Sequence, residues 1–212
     1  MTPPDFLTIQ DYKDVTVKAV YDDSKGELTF TYTVGGKTEN LFVIKASNNQ
    51  KERQWPTKSG DNNTTDPEDI MYTTPPHGEA QVPYIPGRFP KGKWKIIAFE
   101  KNGEKEYGPY KIRTDAFRYV EAWDYVFDED LDTKIWKKRL DENGNVIKVK
   151  DSGLLIHGGG WSESSLDNQK GSNKYTDTTL GCIRISNLDV LLIVEILQAY
   201  LNDKGSISLE VK

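Results

Sequence analysis

The chain contains a single cysteine, Cys182, and only two histidines, His77 and His157, in 212 residues. One thiol excludes an internal disulfide framework. No two of these ligand-type side chains stand at a metal-site spacing, so neither a metal nor another cofactor is expected. Basic residues are outnumbered, 28 Lys and Arg against 33 Asp and Glu, and the net charge is −5. The Lys and Arg residues are also scattered, which argues against nucleic acid, since a phosphate backbone needs a positive field. No run approaches the ~20 apolar residues of a membrane-spanning helix. The start, "MTPPDFLTIQDYKD", has neither the basic nor the apolar region of a signal peptide. Work outside the cytoplasm would therefore need a trimmed signal or a dedicated export route. Hydrophobic residues are scarce at 36%, but aromatics reach 11% and supply bulky core formers. A real core under a polar, loop-rich surface is the expected outcome.

What the chain does have is strand text. "DVTVKAV" (14–20), "ELTFTYTV" (27–34) and "TENLFVIKAS" (38–47) alternate or run together β-branched and aromatic residues between turn signals, and predict an antiparallel meander. From 48 to 87 the text is polar and punctuated by proline, without periodicity. A connection of that length in a compact domain is uncommon and often functional. Strand signals resume in "KGKWKIIAFE" (91–100). Asn102-Gly103 and Asn143-Gly144 then mark two hairpin turns, the second between "TKIWKKRL" and "NVIKVK". "SGLLIHGGG" reads as a short buried strand leaving through glycine, and "LGCIRIS" as another. Thereafter the period changes to about 3.6, with Ser186 or Asn187 as cap. Val190, Ile193, Val194, Leu197, Tyr200 and Leu201 form the apolar stripe of a helix that Lys204-Gly205 ends. "SISLEV" makes a last strand.

The fold class is mainly β, a sandwich or barrel-like sheet carrying one C-terminal helix and a final strand. The simplest division is a single domain over 1–212, with N-terminal strands in 1–50, a long polar loop over 48–87 and a core over 88–212. A separate N-terminal module ending near 50–85 is the other division, with the polar stretch as linker.

The chemistry concentrates in "LLIHGGGWSESSLDNQKGSNKYTDTTLGCIRIS", residues 154–186. A cysteine becomes a useful acyl acceptor when its pKa falls below the free value of ~8.5, through a basic partner or the positive end of local backbone dipoles. Cys182 follows Gly181 just before the predicted helix, where a sharp turn lets backbone N–H groups face a developing oxyanion. His157 ends a buried strand, where its ring can rest on the core with one nitrogen toward a cleft. Taken singly, a lone cysteine is more often a small core residue, and a strand-end histidine a satisfied polar group. It is their presentation at glycine junctions that favours chemistry.

The pair "IHGG" and "TTLGCIRIS" resembles the signature of the L,D-transpeptidase catalytic domain (YkuD-like), and "GRFPKGKWKI" (87–96) looks like that family's strand entry. The resemblance runs from about Val82 to the C-terminus and is sharp over 155–186. It implies Cys182 as nucleophile, His157 as its base, the Gly158 carbonyl as the group orienting the imidazole, and the Gly181 and Cys182 amides as oxyanion donors. Arg184 matches the family's arginine after the cysteine, either supporting the nucleophile loop or meeting a substrate carboxylate. Thr179 stands at the family's serine or threonine position, and Trp161 after the glycine run could wall the cleft. Leu180 replaces the family's second histidine, and His77, in the long polar loop, could take its place. His157 and Cys182 are 25 positions apart, longer than the family pattern, with a polar segment between them.

The implied reaction is attack on an L-centred residue of a peptidoglycan stem peptide with loss of the terminal D-residue, in the periplasm or cell wall. Stem peptides are then the partners. Members that resemble secreted antibacterial effectors lack the same histidine, which would add an export machinery and an immunity protein. Two alternatives stay open: a sortase-like cysteine transpeptidase, and a β-sandwich module that binds cell-wall glycan or peptide without catalysis. The loop tryptophans Trp55, Trp123 and Trp161 give the latter some support.

Overall fold

A computed structural model describes residues 4–9, 11–48, 88–102, 107–130, 133–158 and 181–212. After a short helix, α1 (Pro4–Leu7), three strands form the expected meander: β1 (Thr16–Asp22), β2 (Glu27–Val34) and β3 (Lys37–Lys45). β1 pairs antiparallel with β2, and β2 with β3. Their burial alternates because Val17, Ala19 and Tyr21 of β1 and Leu28, Phe30 and Tyr32 of β2 point into the core.

β4 (Gly92–Lys101) and β5 (Tyr110–Thr114) pair antiparallel, but Lys101 lies opposite Tyr110, so the connection runs over 102–109 instead of a two-residue turn at Asn102-Gly103, and Gly103 lies outside the described residues. β10 (Leu155–His157) adds to β5, and β11 (Ile183–Arg184) adds to β10 in parallel. The last strand, β12 (Ile207–Val211), lies centrally between β4, its antiparallel neighbour, and β1, its parallel one. One sheet of order β11-β10-β5-β4-β12-β1-β2-β3 results. The architecture is mainly β, a curled eight-stranded sheet with one C-terminal helix and a final strand.

Between β5 and β10 the chain makes an excursion of four strands: β6 (Arg118–Glu121), β7 (Trp123–Asp128), β8 (Thr133–Lys138) and β9 (Lys148–Asp151). Here the outcome departs from the predicted hairpin. The turn at Asn143-Gly144 forms, with the Asp141 carboxylate accepting from the amides of Asn143 and Asn145 at 2.9 and 2.8 Å. Its arms, however, meet only at an isolated Leu140–Val146 bridge. β8 pairs instead with β7, and β9 with β6. Ala122 is the junction: its N–H donates to the Ile147 carbonyl and its carbonyl accepts from Arg139, each at 2.8 Å. Each arm thus finds a longer partner than the other arm offers.

The helix α2 (Asn187–Lys204) covers the core face of the sheet. Ser186 caps it, accepting from the Asp189 amide at 3.0 Å, and Gly205 ends it in the left-handed region with φ 72°. The expected stripe is buried as read, extended by Ile196 and Asn187. Tyr200 crosses to the N-terminal strands, its hydroxyl accepting from the Val17 amide at 3.0 Å. Among the described residues no helix is long and apolar enough to cross a membrane.

The ends of the polar stretch are tied together. Asn48, 2% exposed, accepts from the Phe89 amide at 2.8 Å and donates to its carbonyl at 3.4 Å. Residues 49–87, between these ends, lie outside the described residues. Asn48→Ala leaves a buried amide and carbonyl without that partner, and the expected loss is about 2 kcal/mol. Urea denaturation measures it; an unchanged midpoint would show that the clamp contributes nothing.

Candidate active site

The parallel pairing of β10 and β11 brings the two ends of the glycine-flanked stretch together. Ile156 lies opposite Ile183, and His157 opposite Arg184. Ile112 of β5, Ile156 and Ile183 are all fully buried and anchor the three strands on the core. Alternation then turns Lys111, His157 and Arg184 to the other face in one row across β5, β10 and β11.

Cys182 precedes β11 and is level with Leu155, two residues before His157 on the neighbouring strand. Its Sγ accepts a hydrogen bond from the Leu155 amide at 3.4 Å. Gly181 supplies the bend, with φ 114°, a region that L side chains rarely enter. An N–H pair at such a bend is the device an oxyanion site needs. The other edge of β11 is held from outside the motif: Ser47 and Arg184 exchange both backbone hydrogen bonds, at 2.8 and 2.7 Å.

The His157 ring is 7% exposed. Its Nδ1 lies 2.5 Å from the Gly158 carbonyl oxygen, so Nδ1 carries the proton as donor and Nε2 is left with its lone pair. Tyr107 meets the ring edge-on at 5.2 Å, and the Lys111 ammonium lies over the Tyr107 ring at 4.2 Å. Burial, with the charges of Arg184 and Lys111, pulls the imidazole pKa down to about 4. At neutral pH the ring is an uncharged base.

Cys182 differs from the expectation of a lowered pKa. Burial is the largest influence and pushes the thiol up; the Leu155 amide and Arg118 pull it down, and Asp151 pushes it up. The resting pair is therefore thiol and neutral imidazole, not thiolate and imidazolium.

Gly158 and Gly181 are both required sterically. A Cβ on Gly158 would stand 1.9 Å from Asn187 Oδ1 and 3.3 Å from the Asn187 Cα. Asn187 is 4% exposed at the start of α2 and has nowhere to go. Gly158→Ala is expected to destabilise the fold by about 2 kcal/mol through overpacking. Thermal melting of Gly158→Ala with and without Asn187→Gly checks this, because the second change should return part of the loss.

Arg118 and Asp151 belong to this neighbourhood although no motif or spacing singles them out. They are cross-strand partners on β6 and β9, joined by an ion pair of 2.9 Å. Their signal is visible only once the β6–β9 register is known. Trp161, Thr179 and His77, expected as substrate contacts, lie outside the described residues, as does Leu180. Among the described residues no group of three His, Cys, Asp or Glu side chains could hold a metal ion.

No protein-family model matches this chain, and neither does any curated protein. Among solved structures it is similar to the helical cell shape determining protein Pgp2 from Campylobacter jejuni, at 15% identity and a TM-score of 0.45 over 97% of this chain and 50% of that one. A point variant of the same protein gives a TM-score of 0.46 with the same identity and coverage. Bd1075 from Bdellovibrio bacteriovorus is similar at 11% identity and a TM-score of 0.43, over 96% of this chain and 50% of that one. This chain spans about half the length of the solved structures it matches. At such distances its chemistry has to come from its own side chains.

Proposed function

We propose that this protein is a peptidoglycan-modifying cysteine acyltransferase or peptidase of the L,D-transpeptidase type, acting on stem peptides in the cell envelope. One observation carries it. A histidine whose Nδ1 is held by the Gly158 carbonyl and whose Nε2 is unprotonated stands one strand from, and two residues along from, the sole thiol of the chain. The resemblance of "IHGG" and "TTLGCIRIS" to the family's signature supplies the substrate class.

In this mechanism Nε2 of His157 takes the Cys182 proton as sulfur attacks the carbonyl of the L-centred residue, diaminopimelate in a typical stem peptide. The oxyanion faces the Gly181 and Cys182 amides. Collapse breaks the amide bond, and the imidazolium gives its proton to the departing amine of the terminal D-residue. A thioester on Cys182 remains. Water or an amine, deprotonated by the same imidazole, then attacks it and releases a shortened or a newly linked peptide.

A non-catalytic cell-wall binding module has one observation on its side, since burial raises the thiol pKa as in an inert core cysteine. Tetrapeptide muropeptides incubated with the protein and analysed by mass spectrometry separate the two. Loss of the terminal D-residue, or its exchange for an added amine, is expected; unchanged tetrapeptide at long times would end the enzymatic reading.

A further inference from the structure

The position where a Gly181 side chain would begin is filled by Arg118. A Cβ there would lie 2.7 Å from one terminal guanidinium nitrogen, 2.9 Å from the central carbon and 3.0 Å from the other terminal nitrogen. The guanidinium therefore lies flat on the glycine immediately before the thiol. It comes from β6, an element outside the histidine and cysteine strands, and its Nε donates to Asp151 of β9 at 2.9 Å. The Arg118 side chain is only 14% exposed. The Asp151 side chain is 33% exposed, so the enclosed partner is the arginine, and a planar guanidinium suits a flat contact in a way that an ammonium does not.

From this packing we infer that Arg118, aimed by Asp151, is the positioning residue of the Cys182 turn: it locks the bend at Gly181 and is the cation that supports the thiolate when sulfur loses its proton. This rests on Cys182 being the nucleophile. It gives the β6–β9 ribbon a function, which is to deliver one charge to the Cys182 turn.

The electrostatics agree in direction. Arg118 lowers the Cys182 pKa and Asp151 raises it, both against the larger effect of burial. The other charged or titratable groups on this side are His157 on β10, Arg184 on β11, and Lys111 and Arg113 on β5. Arg113 is engaged with Glu100 at 3.6 Å. Arg184 and Lys111 act on His157.

The test is the pH dependence of alkylation of Cys182 by iodoacetamide in the full chain, which has no other thiol. Arg118→Gln removes the cation and is expected to raise the midpoint by about one pH unit, a roughly tenfold slower reaction at neutral pH. Asp151→Asn keeps an acceptor for Nε but removes the negative charge, and is expected to lower the midpoint by about half a unit. Arg118→Lys keeps the charge and should hold the midpoint closer to that of the parent than Arg118→Gln does; if Arg118→Gln does not fold, the downward shift of Asp151→Asn decides the matter. A purely structural pair would behave otherwise: all three variants would move the midpoint toward the free-thiol value of ~8.5, or none would move it. Either result overturns the inference. Alkylation needs no substrate, so a protein that left muropeptides untouched would still report the midpoint, and the two failures are distinct.

Discussion

Alanine at Cys182 is expected to leave tetrapeptide muropeptides intact, and alanine at His157 to slow their conversion by roughly a hundred- to ten-thousand-fold. The asymmetry follows from the resting state of the pair. Cys182 is the only thiol of the chain, so without it no thioester can form. His157 is replaceable in principle by solvent, at a cost. Burial raises the thiol pKa, so the thiolate is a small fraction at neutral pH, and the imidazole has to remove the proton during attack. A thiolate–imidazolium pair already formed at rest would need no such step. The two cases differ in their pH profiles. With the imidazole pKa near 4, kcat/KM of the parent should rise through an acid limb near that value and stay level across neutrality. In His157→Ala the residual rate should climb about tenfold per pH unit until the thiol itself ionises. A bell that falls away above pH 7 in the parent would point to the ion-pair alternative, and turnover by Cys182→Ala would remove the cysteine from the mechanism.

The parts of this picture that could be read from sequence are those set by local periodicity. The alternating runs at 14–20 and 27–34 became β1 and β2, and the 3.6-residue stripe beginning at Val190 became the buried face of α2. His157 and Cys182 were legible as candidates because glycines mark the bends that present them. What could not be read was pairing between distant strands. Nothing in "SISLEV" announces a central strand between β1 and β4, because its alternation decides which face is buried and not which strands lie beside it. The excursion at 118–151 departs from the predicted hairpin because pairing between distant strands decides it. A turn at Asn143-Gly144 is a local matter, but which strand each arm pairs with depends on Ala122, some 20 residues away. Arg118 and Asp151 were therefore missed, since an arginine and an aspartate in separate strands look like surface charges until the register joins them. Helix and glycine signals suggest a lowered Cys182 pKa, and only packing reveals the larger, opposite effect of burial.

Acid is expected to destabilise the parent more than His157→Gln, by about 3 kcal/mol between pH 7 and pH 4. In the unfolded chain the imidazole has a pKa near 6.5 and binds a proton as the pH falls through that value. In the folded protein it resists protonation down to about 4. Between those limits the unfolded state holds more protons, so stability is full above pH 6.5 and drains as the pH drops toward 4. The cause is local and not transferable to the rest of the surface. The ring is 7% exposed, lies edge-on to Tyr107 and faces the charges of Lys111 and Arg184. A cation placed there loses hydration and meets two like charges. Carboxylates will also weaken the fold in acid, but they do so equally in both proteins, and the difference isolates the histidine. Urea denaturation of the two proteins at pH 7 and pH 4 supplies the four free energies. Equal losses would mean that His157 protonates in place near its unfolded value, and the acid limb of kcat/KM expected near 4 would have to move up with it.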